Sequence, residues 1–277
     1  MPDHLSQTEV VFRSLDGLRL VGTLVRPEAL AGAVVLVHGG GVTREEGGFY
    51  TRLAAGLGEA GVASLRFDLR GHGVSEGRQE DLTLAGVLND IQVAMAYVRE
   101  VSGAGAVSLL GASFGGGICA YYAAKQPQEV ARLVLLNPQL DYKKRTIDSR
   151  SCWVDDRLDE EVARTLATQG YIDFTPTFRH GRAILNEVFW LRPHEVLGEI
   201  EAPTLIVHGT KDTFVPVESS RAAVGRFRAE CRLVEVEGAQ HGFAVHDDPQ
   251  YRDPQSQAWQ AMVIREITAW LVAGRSV

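Results

Sequence analysis

The sequence has few cysteines, no long hydrophobic run and no excess of basic residues, and each shortage excludes a class of protein. Its three cysteines, Cys119, Cys152 and Cys231, are odd in number and far apart, so a disulfide framework is not expected and a reducing cytoplasm fits best. No apolar run approaches the roughly 18 residues of a membrane-spanning helix. The net charge of −7 argues against binding to nucleic acid or to an anionic membrane.

The first residues do not have the pattern of a targeting signal. The first ten residues, MPDHLSQTEV, contain neither a basic stretch nor an apolar one, so no signal peptide is predicted. With 277 residues, of which 45% are hydrophobic, the chain is long enough for one large α/β domain with a full core, or for such a domain with an insertion.

Strand patterns alternate with helix patterns along most of the chain. Two stretches, Glu9–Ser14 and Leu18–Arg26, flank Asp16-Gly17 with roughly alternating apolar residues and predict an antiparallel hairpin. Later strands are predicted at Ala33–Val37, Val62–Phe67, Val107–Leu110, Leu133–Leu136, Thr204–Val207 and Arg232–Val236. Helices are predicted at Phe49–Ala60, Leu84–Val101, Ile118–Lys125, Val217–Phe227 and Ala258–Val272. This alternation predicts right-handed βαβ units and a mostly parallel sheet flanked by helices.

The alternation stops between Pro138 and Pro203, where no clear apolar strand is found. Two amphipathic helices are predicted there, at Asp156–Gln169 and Arg182–Leu191, and the region is rich in aromatic residues. We therefore predict a mainly helical cap at residues 138–203, inserted after the sixth strand. The cap is expected to lie over a core domain formed by residues 1–137 and 204–277.

A serine lies at a sharp strand-to-helix turn. The segment Gly111-Ala112-Ser113-Phe114-Gly115 has the pattern G-x-S-x-G, which is typical of a nucleophile elbow. Because serine is a weak nucleophile, it needs a base and an orienting acid. We assign these roles to His241 and Asp212, since the chain order Ser, Asp, His is the order that hydrolases with this elbow use. Each of the three follows a predicted strand, so all are expected at the carboxyl edge of the sheet.

An ester hydrolase also needs donors for the oxyanion. The N–H of Phe114 is one candidate, and Gly40, in the His38-Gly39-Gly40-Gly41 loop after a predicted strand, is the other, with Gly41 as its alternative. Rival groups exist for both partners of the serine: His72 for the base, and Asp247 or Asp248 for the acid, although these fit the chain order poorly. The other histidines and polar groups near strand ends are predicted to be structural, namely His38, Asp68, Arg70 and His208.

Two further polar positions have open roles. Arg44 lies in the Arg44-Glu45-Glu46 segment that follows the glycine loop, and Asp141 begins the Asp141-Tyr142-Lys143-Lys144-Arg145 run. Both segments are expected to be solvated. The alternatives are that Arg44 helps to bind a substrate carboxylate and that Asp141 contacts a polar group of the substrate.

Five motifs together resemble the α/β-hydrolase superfamily over nearly the whole chain: HGGG at His38–Gly41, DLRGHGVSEG at Asp68–Gly77, GASFGG around Ser113, VHGTKDTFVP around Asp212 and GAQHGF around His241. The sequence is most similar to small serine esterases of the feruloyl or cinnamoyl type. This resemblance implies hydrolysis of small carboxylic esters through an acyl-enzyme, with no metal or cofactor. A thioesterase with the same triad is the alternative, and a non-catalytic binding protein is a third hypothesis. The expected partner is a small ester, and the oligomeric state stays open, a homodimer included.

Overall fold

The computed structural model describes residues 5–273. Residues 1–4 and 274–277, where the predicted core domain begins and ends, lie outside the described residues. The strands are β1 (Leu5–Arg13), β2 (Arg19–Pro27), β3 (Gly32–Val37), β4 (Val62–Phe67), β5 (Val107–Ala112), β6 (Val130–Leu136), β7 (Trp153–Val154), β8 (Arg157–Leu158), β9 (Tyr171–Thr175), β10 (Phe178–Gly181), β11 (Thr204–Gly209) and β12 (Cys231–Val236). The α-helices are α1 (Phe49–Glu59), α2 (Leu84–Ser102), α3 (Ser113–Lys125), α4 (Glu160–Gln169), α5 (Arg182–Glu187), α6 (Val217–Val224) and α7 (Pro254–Val272).

Eight of these strands form the central sheet, in the order β1-β2-β4-β3-β5-β6-β11-β12. The pairs β1–β2 and β2–β4 are antiparallel, and the other neighbouring pairs are parallel. The predicted hairpin and the predicted parallel strands are all present. The mostly parallel α/β sheet expected from the alternating pattern is therefore confirmed.

Helices cover the central sheet on both faces. Every residue of β3 is buried, because alternate side chains enter two different cores. Val35 and Val37 pack in one core with residues of α2 and α3, whereas Val34 and Leu36 pack in the other with residues of α1 and α7. A strand covered on both faces carries apolar residues at successive positions rather than at alternate ones, which is why the sequence predicted this strand so clearly.

The segment between β6 and β11 contains both predicted helices, as α4 and α5, together with a π-helical turn at Lys144–Asp148. Asp159 caps α4 by accepting a hydrogen bond from Val162 N (2.9 Å). Two hairpins, β7–β8 and β9–β10, are also present and were not predicted. Their strands have two to five residues, too few to give a clear alternating pattern.

The outer part of this segment has a small hydrophobic core of its own. Leu166, Ile172 and Leu185 form this outer cluster, and Leu158 and Val162 pack against it. Trp153 contacts both the outer cluster and one of the main cores. The outer cluster therefore holds α4 to β9 and α5 without belonging to the main core.

Across residues 5–273, no helix combines the length and the apolar character that crossing a membrane requires.

Candidate active site

The turn between β5 and α3 places Ser113 at the first position of the helix with a φ of 50°. This left-handed conformation is unfavourable for a residue with a side chain and persists only where its surroundings impose it. A Cβ at Gly111 would lie 2.6 Å from the Gly115 carbonyl oxygen and 2.7 Å from Cys119 Sγ. A Cβ at Gly115 would lie 2.5 Å from the His38 carbonyl oxygen. Both glycines of the elbow are therefore required by close packing around the serine.

Asp212 lies just after β11, and its carboxylate is saturated with hydrogen bonds. Oδ1 accepts from the backbone N–H groups of Phe214 and Val215, both at 2.8 Å, and Oδ2 accepts from His241 Nδ1 at 2.6 Å. Burial raises the pKa of this carboxyl, but the hydrogen bonds from His208 and His241 outweigh burial and hold the pKa below its usual range. Asp212 is therefore an ionised acceptor that orients the imidazole of His241.

His241 lies in a short helical turn, His241–Phe243, that follows β12. Since Nδ1 donates to Asp212, Nε2 is left as the acceptor of the neutral ring. One side of the ring packs on Phe214, with a distance of 5.0 Å between ring centroids. Ser113 lines the same cleft, although no hydrogen bond between its hydroxyl and this ring is formed in the described part of the chain. Such contacts are often long in free enzymes and shorten when substrate binds.

The cleft that contains Ser113 and His241 has a volume of about 380 Å³. Its walls are largely apolar. From the segment between β6 and β11, the turn Thr175-Pro176-Thr177 at the tip of the β9–β10 hairpin lines the cleft, as do Phe214 and Tyr251. The segment predicted as a cap therefore reaches the same space as the serine.

The glycine loop after β3 has three N–H groups, and two of them are used within the protein. Gly39 N donates to Glu46 Oε1 at 2.6 Å, and Gly41 N donates to His72 Nε2 at 3.1 Å. The N–H of Gly40 has no hydrogen-bond partner among residues 5–273. Of the two glycines that the sequence left open, Gly40 is thus the one whose N–H is free to bind a substrate oxygen.

Two buried histidines support this loop in their neutral form. His38 donates from Nδ1 to a neighbouring carbonyl and accepts from Leu69 N at Nε2 (3.0 Å). His72 donates from Nδ1 to Arg70 O (3.1 Å) and accepts from Gly41 N. Burial lowers the pKa of His38 to about 3 and lowers that of His72 below its usual value. Because both ring nitrogens of His72 form hydrogen bonds within the protein, this histidine supports the glycine loop.

The contacts of three other residues bear on the roles that the sequence left open. Arg44 Nη1 lies 2.6 Å from Asp68 Oδ2, and its Nη2 lies 3.0 Å from Glu9 Oε2. The charge of Arg44 is therefore paired within the protein, whereas a solvated side chain was expected. Asp248 accepts hydrogen bonds from backbone N–H groups that follow it in the chain, and Asp247 is exposed beside His246. Asp212 is therefore the acid that meets the imidazole of His241.

The sequence did not connect two residues, Glu46 and Phe178, with the glycine loop. Glu46 belongs to a charged run that suggested only a solvated helix start, yet its carboxyl faces the cleft, and burial raises its pKa. Phe178 belongs to β10 and contacts the loop directly, since a Cβ at Gly40 would overlap Phe178 Cε1. Its ring also packs on Phe114 and His72, with centroid distances of 5.2 and 5.5 Å.

Within the described ranges, no group of three or more histidine, cysteine, aspartate or glutamate side chains is arranged to hold a metal ion.

A family model described as serine aminopeptidase, S33, matches residues 28–248. The chain belongs to this family. A monoacylglycerol lipase of Mycolicibacterium smegmatis is 27% identical over 288 residues, which cover 97% of this chain and 98% of the lipase. The proline iminopeptidase PfmaB of Pestalotiopsis fici is 26% identical over 272 residues, 85% of this chain and 94% of its own.

Solved structures share the fold of this S33 family member. Est1E from Butyrivibrio proteoclasticus, in a structure with ferulic acid bound, superimposes with a TM-score of 0.75 at 24% identity. The superposition covers 93% of this chain and 99% of Est1E. The expected α/β-hydrolase fold and the expected superfamily are thus confirmed, and the family to which the chain belongs is one of hydrolases.

Proposed function

We propose that this S33 family member hydrolyses small acyl or aryl esters with Ser113 as nucleophile, His241 as base and then acid, and Asp212 as the carboxylate that orients it. The observation that carries the proposal is the 2.6 Å hydrogen bond between His241 Nδ1 and Asp212 Oδ2, formed beside a cleft that Ser113 also lines. That bond fixes the tautomer in which Nε2 can accept the serine proton.

The reaction follows from these positions. As the Ser113 oxygen attacks the ester carbonyl carbon, His241 Nε2 takes its proton, and the carbonyl oxygen becomes an oxyanion held by the N–H groups of Gly40 and Phe114. The alcohol then leaves with the proton from His241, and the acyl group stays on Ser113. A water molecule, deprotonated by His241, releases the acid and restores the serine. Each oxyanion donor typically contributes about 2.7–4 kcal/mol to barrier lowering.

The substrate class is proposed from the cleft and from the relatives. A cleft of about 380 Å³ with apolar walls suits a small acyl or aryl group. The lipase relative supports an ester as the substrate, and the ferulic acid bound to Est1E supports an aryl acid as its acyl part. We assign residues 138–203 as the cap over this cleft and residues 1–137 with 204–277 as the core domain. Free thiols at all three cysteines support a cytoplasmic location.

The test is hydrolysis of p-nitrophenyl butyrate by the wild type, Ser113→Ala and Asp212→Asn, together with labelling by a fluorophosphonate probe. We expect Ser113→Ala to lose both activity and labelling, and Asp212→Asn to lose about 10⁴-fold in kcat because the imidazole would take the wrong tautomer. Parallel assays with butyryl-CoA and proline p-nitroanilide measure the thioesterase and aminopeptidase alternatives. Equal activity of the wild type and Ser113→Ala would overturn the proposal.

A further inference from the structure

A second cavity, of about 390 Å³, lies beside the catalytic cleft. It is lined by residues at the start of the 138–203 segment, including Asp141, Lys144 and Arg145, and by the loop that leads into α6. Phe214 lines both this cavity and the catalytic cleft. The two spaces are therefore neighbours, separated by one aromatic side chain.

The guanidinium of Arg145 lies in this cavity without an acceptor. It stacks over the Phe214 ring, 4.2 Å from the centroid, and lies 5.6 Å from the centroid of Phe174. Among residues 5–273 its side chain makes no salt bridge and no hydrogen bond, and its Nε is buried without a partner. Desolvation lowers the pKa of this guanidinium. A partly buried guanidinium normally pairs with an anion, so this side chain is free to bind an anionic ligand.

The carboxylates near the cavity are engaged by other groups. Asp212, whose negative charge acts on Arg145, accepts hydrogen bonds from His241 and from the backbone N–H groups of Phe214 and Val215. Asp141 Oδ1 accepts from Lys144 N at 3.0 Å, and its Oδ2 lies 3.7 Å from His194 Nε2. Glu218 Oε1 lies 3.4 Å from Arg221 Nη1. Lys144 also lines the cavity and takes part in no ion pair within the described part of the chain. The cavity therefore presents two cations without partners, while its carboxylates are engaged elsewhere.

The position of Phe214 connects this cavity to the reaction. One face of its ring packs against His241, at 5.0 Å between centroids, and the Arg145 guanidinium stacks on the same side chain. Its backbone N–H donates to Asp212. An anion bound by Arg145 is thus one ring away from the imidazole, close enough to belong to the molecule whose ester lies at Ser113.

We propose that this second cavity binds a carboxylate of the substrate through Arg145, so that the enzyme prefers esters carrying a free carboxylate, such as monoesters of short dicarboxylic acids. The inference rests on the proposed esterase function and adds the substrate class to it. A planar guanidinium can hold a carboxylate through two parallel hydrogen bonds, and Lys144 adds a second positive charge. The carboxylate can belong to the acyl or the alcohol portion, and the experiment separates the two.

The experiment compares three esters: p-nitrophenyl butyrate, the mono-p-nitrophenyl ester of glutaric acid, with an anionic acyl group, and 4-carboxyphenyl butyrate, with an anionic alcohol. We expect the wild type to favour one anionic ester over the neutral one. In Arg145→Met, the ratio of kcat/KM for that ester to kcat/KM for the neutral ester should fall about 10- to 100-fold, mainly through KM. Arg145→Lys should keep part of the preference. Arg150→Met is the matched control. Arg150 also stacks on Phe174, and its charge acts on Arg145, but its guanidinium donates to backbone carbonyls, so its loss should change the ratio much less than Arg145→Met does.

A binding measurement separates failure of this inference from failure of the proposed function. Ser113→Ala protein, with and without Arg145→Met, is titrated with glutarate by calorimetry, and the arginine substitution should weaken binding about 10-fold or more. If the neutral ester is hydrolysed through Ser113 but Arg145→Met changes all esters equally, only the carboxylate inference is overturned. If no ester is hydrolysed, the function fails, and the titration still decides whether Arg145 binds carboxylates. Absence of glutarate binding to either protein would also overturn the inference.

Discussion

Substitution of His72 by Phe tests whether this histidine supports the glycine loop or transfers a proton in the reaction. The substitution removes the Nε2 that accepts the hydrogen bond from Gly41 N. It keeps an aromatic ring between those of His38 and Phe178, whose centroids lie 5.2 and 5.5 Å from the centroid of the His72 ring. The core contacts are therefore largely retained, and the main change is the loss of one buried acceptor.

The magnitude follows from what that acceptor does. A neutral hydrogen bond typically contributes about 0.5–1.5 kcal/mol, and a buried donor left without a partner costs about 1–3 kcal/mol. His72 holds the peptide next to the proposed donor at Gly40 and donates nothing to the substrate itself. Its loss should therefore cost less than removal of an oxyanion donor, which takes about 2.7–4 kcal/mol. We expect the activation barrier to rise by about 1–2 kcal/mol, which lowers kcat roughly 5- to 30-fold.

The assay measures kcat, KM and Tm with p-nitrophenyl butyrate for His72→Phe, His241→Phe and His246→Phe. The last is the control, since His246 is exposed and its replacement should change little. His241→Phe should lose at least about four orders of magnitude, as expected for a general base. If His72→Phe is folded, with a Tm near that of the wild type, and is as inactive as His241→Phe, the assignment of the two histidines is wrong.

Two further predictions concern the packing of the β9–β10 hairpin. Gly40→Ala should lower both Tm and kcat, because its Cβ would overlap Phe178 Cε1 and overpacking typically costs about 1–3 kcal/mol. In a Phe178→Ala background, which is itself destabilised, Gly40→Ala should cost less because the overlap is gone, and a double-mutant cycle that shows simple additivity would contradict this. His180 is 2% exposed, and neither ring nitrogen has a partner in the described residues. Burial lowers its pKa from 6.5 to about 3. Between pH 6.5 and about 3, the unfolded chain therefore binds a proton that the folded chain does not. The free energy of unfolding then falls by up to about 1.36 kcal/mol for each pH unit of acidification. His180→Phe should remove this loss and raise Tm, more at acidic than at neutral pH; thermal unfolding with the same pH slope in both proteins would refute it.

Most of the central sheet could be predicted because its signal is local. The strand predicted at Ala33–Val37 is observed as Gly32–Val37, since burial on both faces requires apolar residues at successive positions. The helix predicted from Ile118 begins five residues earlier, at Ser113. The helix propensity of glycine is low, which hid the first turn at Gly115, Gly116 and Gly117. Close packing requires glycine there, since a Cβ at Gly117 would overlap the Gln139 carbonyl oxygen.

The residues that could not be predicted act across large sequence separations. Phe178 contacts the glycine loop 138 residues before it in the chain (178 − 40), and the Phe214 ring under Arg145 lies 69 residues after it (214 − 145). Neither pair has a spacing or residue pattern that a local window could detect. Glu46 is hidden for another reason: a charged run is ordinarily solvated, and only the turn at Glu46–Gly48 directs this carboxyl towards Gly39.

The outer cluster gives the segment between β6 and β11 two levels of stability. Helix α4 is held by a few apolar side chains, whereas the tip of the β9–β10 hairpin is fastened by Gln79, which donates to Thr177 O and accepts from Arg179 N. Segments with few buried contacts open by local unfolding at a fraction of the global free energy. Helix α4 can therefore detach and return while the hairpin stays seated on the glycine loop.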